Sequence, residues 1–205
     1  MGNMELRKED ITQEFLQLCE KEGYVCVDTE TTGLNYKTDR LCTIQLYCKN
    51  TALIIQYNPQ EKYKHMKELF LSDDIIKVFH NAVFDVAFLM KNLKLCYFGR
   101  LVCTKISAKL LHGLEHKNSL KNLLNEYLEI NVDKSQQLSD WTVEALSDSQ
   151  KQYAINDVKY LYCLWNKMKQ QIERENLSEL AYKCFEFVPN YVSLTDMNID
   201  NIFVY

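Results

Sequence analysis

Three short acidic segments constrain this chain more than any other feature, because each sets a carboxylate within or beside residues that belong in a core. The segments span residues 27–34, 79–85 and 153–158. Burying unpaired charges is costly, so acids in such places are expected to be paired or to bind metal. The four acids are Asp28, Glu30, Asp85 and Asp157.

Four carboxylates that converge on one point can hold two divalent metal ions, with Mg²⁺ or Mn²⁺ as the expected choice. Two such ions are a common means of cutting a phosphodiester bond. The sequence contains no P-loop and no G-x-G-x-x-G motif, which argues against a nucleotide-binding enzyme. The acidic pattern therefore predicts a nuclease.

The composition predicts one globular domain over residues 1–205. With 47% hydrophobic residues in 205, the chain can bury a full core, and its five glycines and two prolines form no linker-like stretch. No run approaches the ~18 apolar residues that span a bilayer. The N-terminus has no apolar signal core. We expect a cytoplasmic protein with no membrane partner.

The charge balance bears on the substrate. The net charge is −4 and there are only four arginines, whereas binding to long nucleic acids draws on Lys and Arg that neutralise phosphates. The balance therefore favours a short substrate over a long polyanion. The eight cysteines form no C-x-x-C pair, which favours buried, reduced cysteines over a zinc site.

The alternation of apolar and polar residues predicts an α/β protein with a five-stranded mixed sheet flanked by helices. Strands are expected at residues 24–27, 41–47, 51–57, 75–79 and 101–103. Helices are expected at residues 9–21, 62–71, 82–92, 104–111 and 119–128. A capping box at Ser147 opens a long helix toward residue 175. A last helix near 178–187 is expected to stop at Pro189.

Spacing within the segments supports a shared site. Asp28 and Glu30 lie two residues apart at a strand end and so leave the same face, although surface acids on a loop can have the same spacing. Tyr153 and Asp157 lie four apart and share a helix face, but Tyr153 alone could be an ordinary amphipathic aromatic. The apolar helix around Asp85 leaves that acid almost no solvated face, so it either serves a site or pairs within the fold.

Taken together, the three segments resemble the three exonuclease motifs of the DEDD superfamily of 3′→5′ exonucleases. The Tyr-x-x-x-Asp spacing at Tyr153 is similar to that of the tyrosine subclass, which includes RNase D. The nanoRNase C family, short RNase D-like enzymes that degrade dinucleotides, is more similar still. The resemblance to that family rests on the Cys-Thr-Lys at 103–105, the downstream Lys109 and the residues that follow Trp141.

This resemblance implies a ribonuclease H-like exonuclease fold in which the four acids ligate two divalent ions and Tyr153 orients or helps deprotonate the attacking water. Leu34 would separate two bases, with a buried turn residue as the alternative. The other implied substrate contacts are His80, Asn81, Lys105, Lys109, Gln137, Ser139 and Trp141. A structural role for His80, solvated surface positions for the two lysines and simple packing for Trp141 are the alternatives.

We therefore predict a metal-dependent 3′→5′ exoribonuclease that hydrolyses very short RNA, above all dinucleotides, to nucleoside 5′-monophosphates by two-metal-ion catalysis. One alternative is an RNase D-like exonuclease that trims longer RNA or single-stranded DNA. Another is a non-catalytic RNA-binding scaffold. The resemblance also implies a homo-oligomer, with a ring-shaped octamer as the expected form, and the apolar residues 202–205 offer a surface that a second subunit would cover.

Overall fold

A six-stranded mixed sheet organises the protein, and the computed structural model describes residues 3–132, 136, 138–199 and 201–204. The strand order is β1-β4-β3-β2-β5-β6. β2, β3 and β4 form an antiparallel meander, whereas β5 and β6 continue parallel to β2, and β1 lies parallel to β4. The strands are β1 Asn3–Arg7, β2 Tyr24–Thr31, β3 Leu41–Cys48, β4 Thr51–Gln56, β5 Ile76–Phe79 and β6 Leu101–Cys103.

Helices flank this sheet and bury its apolar residues. They are α1 Gln13–Glu22, α2 Lys64–Leu71, α3 Ala82–Leu93, α4 Thr104–His112, α5 Leu120–Leu128, α6 Asp148–Lys159, α7 Leu161–Arg174 and α8 Ser178–Asp196. Helix α6 packs on β2, β3 and β4, while α8 packs on α3, α4 and β6. All eight cysteines are free, but only four of them are buried, so the predicted burial holds for half of the cysteines. Among the helices of the described residues, none is both long and apolar enough to cross a membrane.

The α/β architecture is as predicted, but the sheet has six strands, not five. The additional strand, β1, pairs with β4 at the edge of the sheet. Its sequence, NMELR, has little β-character, and Met4 and Leu6 are exposed. The open edge of β4 organises this segment, and local sequence carries no signal for such a pairing.

The long helix predicted from Ser147 toward residue 175 is in fact two helices. The predicted capping box is present, since Ser147 and Gln150 exchange side-chain-to-backbone hydrogen bonds of 3.2 and 3.0 Å. The break falls at Tyr160, where the sequence has neither glycine nor proline to indicate the end of a helix. Packing explains the break, because α6 lies on β2–β4 whereas α7 lies on β2, β5, α4 and α5.

The stop predicted at Pro189 is wrong, because α8 continues through the proline to Asp196. Its buried stripe continues across Pro189, with Val188 before it and Val192 after it. Pro189 lacks the amide hydrogen that would bond to the carbonyl of Phe185, so the helix loses one backbone hydrogen bond at this point. Burial of the stripe outweighs the local cost of the proline.

The buried residue Lys77 allows a test of how burial in the core affects stability. It is fully buried on β5 and donates from Nζ to the carbonyl of Ser72. Burial lowers the pKa of its ammonium to about 7, with Asp73 opposing this effect and Arg100 adding to it. The unfolded side chain titrates near ~10.4. Between these two values the unfolded chain binds more protons, so stability rises with pH.

We expect the unfolding free energy of the wild type, relative to Lys77→Met, to increase by roughly 2 kcal/mol between pH 7 and pH 9. Urea denaturation at several pH values measures this difference. Lys64→Met, at an exposed lysine, is the control and should show no such trend. If the difference in unfolding free energy between the wild type and Lys77→Met did not change with pH, the folded protein would keep Lys77 charged.

Candidate active site

The first two acids emerge from the end of the strand at the centre of the sheet. β2 lies between β3 and β5, and its residues Val25 and Val27 are fully buried. Asp28 and Glu30 follow, two residues apart and therefore on one face. The pairing register with β3 shifts immediately after Glu30, so the strand bends away where the acids leave it.

Helix α6 brings the third segment over these acids. Tyr153 and Asp157 lie one helical turn apart and are only 6% and 5% exposed. One carboxylate oxygen from each of Asp28, Glu30 and Asp157 lies within 4.8 Å of the others. Oxygen donors in this arrangement suit a hard divalent cation such as Mg²⁺ or Mn²⁺.

Asp85 enters from the first turn of α3. It is 2% exposed, and its Oδ1 accepts a hydrogen bond of 2.7 Å from the hydroxyl of Thr29. Burial raises the pKa of this carboxyl to about 7, while the Thr29 hydrogen bond and the charge of Lys105 oppose that rise. Asp85 stands outside the three-membered oxygen cluster but lines the same cavity.

Tyr153 is held as a neutral phenol. Burial raises its pKa, and the charges of Asp157, Glu30 and Asp28 raise it further. Its ring packs against Trp141, with 5.9 Å between ring centroids. The hydroxyl can therefore donate a hydrogen bond in the cavity but cannot act as a ready-made base.

The four acids and Tyr153 line one cavity of about 730 Å³. Of the residues predicted from the sequence, it brings together the four acids, Tyr153, Leu34, His80, Asn81, Lys105 and Ser139. Lys109 is exposed and lies outside this lining, and Gln137 lies outside the described residues. Sequence reasoning missed Phe84, Ser119, Lys121 and Leu138, which also line the cavity.

Trp141 supports the cavity from behind instead of lining it. It is 3% exposed and packs with Ile54, Leu146 and Tyr153. The structure therefore agrees with the alternative for Trp141, in which its ring packs and does not contact the substrate. Its neighbour Ser139 does line the cavity, and the side chain of Gln150 holds Ser139 through a hydrogen bond of 3.2 Å.

Leu34 is 86% exposed at the cavity, so the buried-turn alternative is wrong. The loop that carries it depends on Gly33, because a Cβ there would lie 2.4 Å from Oδ2 of Asp39. The same Oδ2 accepts a hydrogen bond of 2.8 Å from the amide of Asn35. This close approach fixes the turn that projects Leu34 outward. Large exposed apolar side chains beside a polar cleft are typical of ligand contacts.

His80 is oriented by its contact with the hydroxyl of Thr104. Its Nδ1 lies 3.0 Å from the hydroxyl of Thr104, which itself donates to the carbonyl of Phe79 at 3.3 Å. The contact with Thr104 fixes the orientation of the His80 imidazole ring. Lys105 follows at the start of α4 and Lys121 lies in the first turn of α5, so two cations line the same cavity.

The missed residues had only weak signals in the sequence. Ser119 is the N-cap of α5, and its hydroxyl accepts from the amide of Asn122 at 3.3 Å. The predicted helix start at residue 119 marks that cap, but nothing local places α5 beside the acids. The role of Thr29 likewise emerges only from the structure, in which its hydroxyl donates to Asp85.

Comparison with known proteins agrees with this geometry. Residues 4–173 match the 3′-5′ exonuclease family. NrnC of Brucella melitensis is 33% identical, with 99% of this chain and 98% of that chain covered and a TM-score of 0.90. The same protein bound to pGG is matched over 100% of both chains at 32% identity, with a TM-score of 0.90. With bound Mg²⁺ it is matched over 99% of both chains at 31% identity, with a TM-score of 0.88.

Two ribonucleases D are similar over part of their length. That of Sphingobium indicum is 30% identical over 78% of this chain and 42% of the relative. That of Escherichia coli shares the fold, with a TM-score of 0.74 at 20% identity, over 98% of this chain and 51% of the other. The chain spans less than half the length of the first curated relatives it matches.

The family match covers most of the chain, and the NrnC match covers nearly all of both proteins. The chain therefore belongs to the 3′-5′ exonuclease family, within the DEDD superfamily that includes RNase D and NrnC.

Proposed function

We propose that this protein is a metal-dependent 3′→5′ exoribonuclease that hydrolyses very short RNA, above all dinucleotides, to nucleoside 5′-monophosphates. The observation that carries the proposal is the cluster of Asp28, Glu30 and Asp157 oxygens within 4.8 Å, in one cavity with Asp85 and Tyr153. The similar NrnC has been solved with Mg²⁺ and with pGG, a two-guanine ligand, which supports both the metal and the short substrate.

Asp28, Glu30, Asp85 and Asp157 would hold two divalent ions, Mg²⁺ or Mn²⁺. Such ions, when bound, acidify a water and stabilise the departing 3′ oxygen of a phosphodiester. The protein positions these carboxylates rigidly, because Asp28 and Glu30 stand on the central strand and Asp85 is anchored by Thr29. The positive charge of Lys105 lowers the pKa of Asp85 and so opposes the effect of its burial.

Tyr153 would hold the attacking water through its hydroxyl. The ring is fixed against Trp141 and the hydroxyl is neutral, so it directs a water molecule by hydrogen bonding instead of removing its proton. Holding the reacting atoms in line in this way can lower the activation barrier substantially.

Other residues of the same cavity suit a short, 5′-phosphorylated ligand. Lys105 and Lys121 provide positive charge, and Leu34 and Leu138, which are 86% and 97% exposed, provide apolar surface for bases. The volume of about 730 Å³ is that of a pocket that encloses a small ligand. Because the whole chain has a net charge of −4, long RNA has little electrostatic source of affinity.

An exonuclease that trims longer RNA or single-stranded DNA is the second candidate, and similarity to RNase D favours it. A homo-oligomer stays a prediction. It is supported by the exposed apolar residues Ile202, Phe203 and Val204, which a second subunit would cover.

The metal site gives the first prediction of function. Three adjacent carboxylates repel one another, so Mg²⁺ should raise the thermal unfolding midpoint of the wild type and chelator should abolish activity. Asp28→Asn should lose at least about a hundredfold in turnover and also lose the Mg²⁺-induced shift. Asp74→Asn, at an exposed acid, is the control. Full turnover in excess chelator would contradict the metal site.

The second prediction isolates the Tyr153 hydroxyl. Tyr153→Phe keeps the ring against Trp141, so its unfolding midpoint should stay close to that of the wild type. Turnover should fall by roughly a hundredfold, because the group that orients the water is gone. Single-turnover kinetics with saturating substrate measures the effect. A wild-type rate would leave Tyr153 with packing as its only role.

The third prediction concerns length and the 5′ phosphate. A 5′-phosphorylated diribonucleotide should be cleaved much faster than a six-mer at equal concentration, and removal of its 5′ phosphate should slow cleavage. Lys105→Ala and Lys121→Ala should each raise KM about tenfold for the phosphorylated ligand, because a charge-assisted contact is lost. Neither variant should change KM for the dephosphorylated one.

Lys109→Ala, on the same helix as Lys105 but outside the cavity, is the matched control for this experiment and should resemble the wild type. Similar rates on all RNA lengths would favour the trimming exonuclease. Equal effects of the lysine variants on both dinucleotides would exclude a 5′-phosphate contact.

A further inference from the structure

Three buried side-chain atoms have no hydrogen-bond partner within the described part of the chain: Oε1 of Gln45, Oε1 of Gln56 and Nε1 of Trp141. All three lie in the layer between the sheet and α6. Ile54 packs with Trp141 and Tyr153 in this layer. Gln45 is the cross-strand partner of Ile54, and Gln56 follows two residues later on β4, so both glutamines share the face of Ile54.

The pairing register places the first of these glutamines beside the acids. Gln45 lies directly opposite Asp28 and Thr43 lies directly opposite Glu30. Directly opposed side chains share a face, with Cβ atoms about 4.5–5.5 Å apart. Gln45 and Thr43 are both fully buried. Two buried polar side chains therefore stand next to two of the clustered carboxylates.

These two polar residues are joined. Nε2 of Gln45 donates to the hydroxyl oxygen of Thr43 at 2.6 Å. The bond fixes the plane of the amide and leaves its Oε1 without a partner. A buried amide oxygen without a partner is unfavourable for folding. An apolar side chain of similar size would avoid that cost, so stability alone does not account for an amide here.

We propose that Gln45, braced by Thr43, is a positioning residue for the metal ligands, a role that rests on the metal site proposed above. Its amide restricts the side chains of Asp28 and Glu30 from the neighbouring strand. Carboxylates restrained before the cation arrives lose less freedom on binding, and residues behind metal ligands affect affinity in this way. Gln45 affects the cation through the carboxylates and has no place in the cavity lining.

Gln56 provides a matched control in the same layer. It is the same residue type and also has an unpartnered Oε1, but its Nε2 donates to the carbonyl of Val143 at 3.0 Å. It stands opposite Thr43, one strand farther from the acids. Any general effect of removing a buried amide from this layer should affect both glutamines alike.

The test measures Mn²⁺ binding to the full chain by calorimetry, without substrate, for the wild type, Gln45→Met and Gln56→Met. We expect Gln45→Met to bind Mn²⁺ about tenfold more weakly, while the thermal unfolding midpoint of its metal-free form stays equal or rises. Gln56→Met should bind as the wild type does. Weaker metal binding without loss of metal-free stability is a result that a purely structural role does not give.

Wild-type affinity in folded Gln45→Met would overturn the proposal, and so would equal losses in both variants. Thr43→Val keeps the packing and removes the acceptor of the Gln45 amide, so it should also weaken Mn²⁺ binding. If Gln45→Met does not fold, Thr43→Val is the test instead. Wild-type Mn²⁺ affinity in Thr43→Val would then overturn the proposal. A wild type that binds no Mn²⁺ would instead overturn the metal site itself, and this inference with it.

Discussion

Mutual repulsion among the carboxylates of Asp28, Glu30 and Asp157 is the constraint on which the rest of this structure depends. Their oxygens are held within 4.8 Å of one another, at the partly dry junction of a sheet and a helix where charges interact more strongly than in water. Such a cluster is unfavourable in the metal-free protein and favourable around a cation. The fold must therefore hold the acids together against their repulsion.

The fold does so by attaching the acids to rigid elements: Asp28 and Glu30 to β2, Asp157 to α6 and Asp85 to α3. β2 is flanked on both sides by hydrogen-bonded strands. Helix α6 is anchored by the capping box of Ser147 and Gln150 and by the packing of Tyr153 on Trp141. Helix α3 is attached to β2 through the Thr29–Asp85 hydrogen bond. Because strands and helices hold all four acids, no loop has to resist the repulsion.

The mixed lining of the cavity connects the fold to the proposed substrate. Carboxylates, a neutral phenol and the cations of Lys105 and Lys121 line the same cavity, with Leu34 and Leu138 exposed in it. A ligand that carries a scissile phosphate, bases and a terminal phosphate within a short span complements all three features. A long polyanion would leave most of its charge against an acidic protein.

The sequence by itself determined the α/β class, most element positions and the acids with Tyr153, because local spacing decides which side chains share a strand or helix face. Leu34, His80, Asn81, Lys105 and Ser139 followed from resemblance, and the structure places them in the cavity. Only the tertiary structure decided the edge strand β1, the break at Tyr160 and the passage of α8 through Pro189. It also decided that Lys121 lines the cavity with the acids while Lys109 does not. These features depend on contacts between segments distant in sequence, where the burial of a whole surface outweighs the local preference of any one residue.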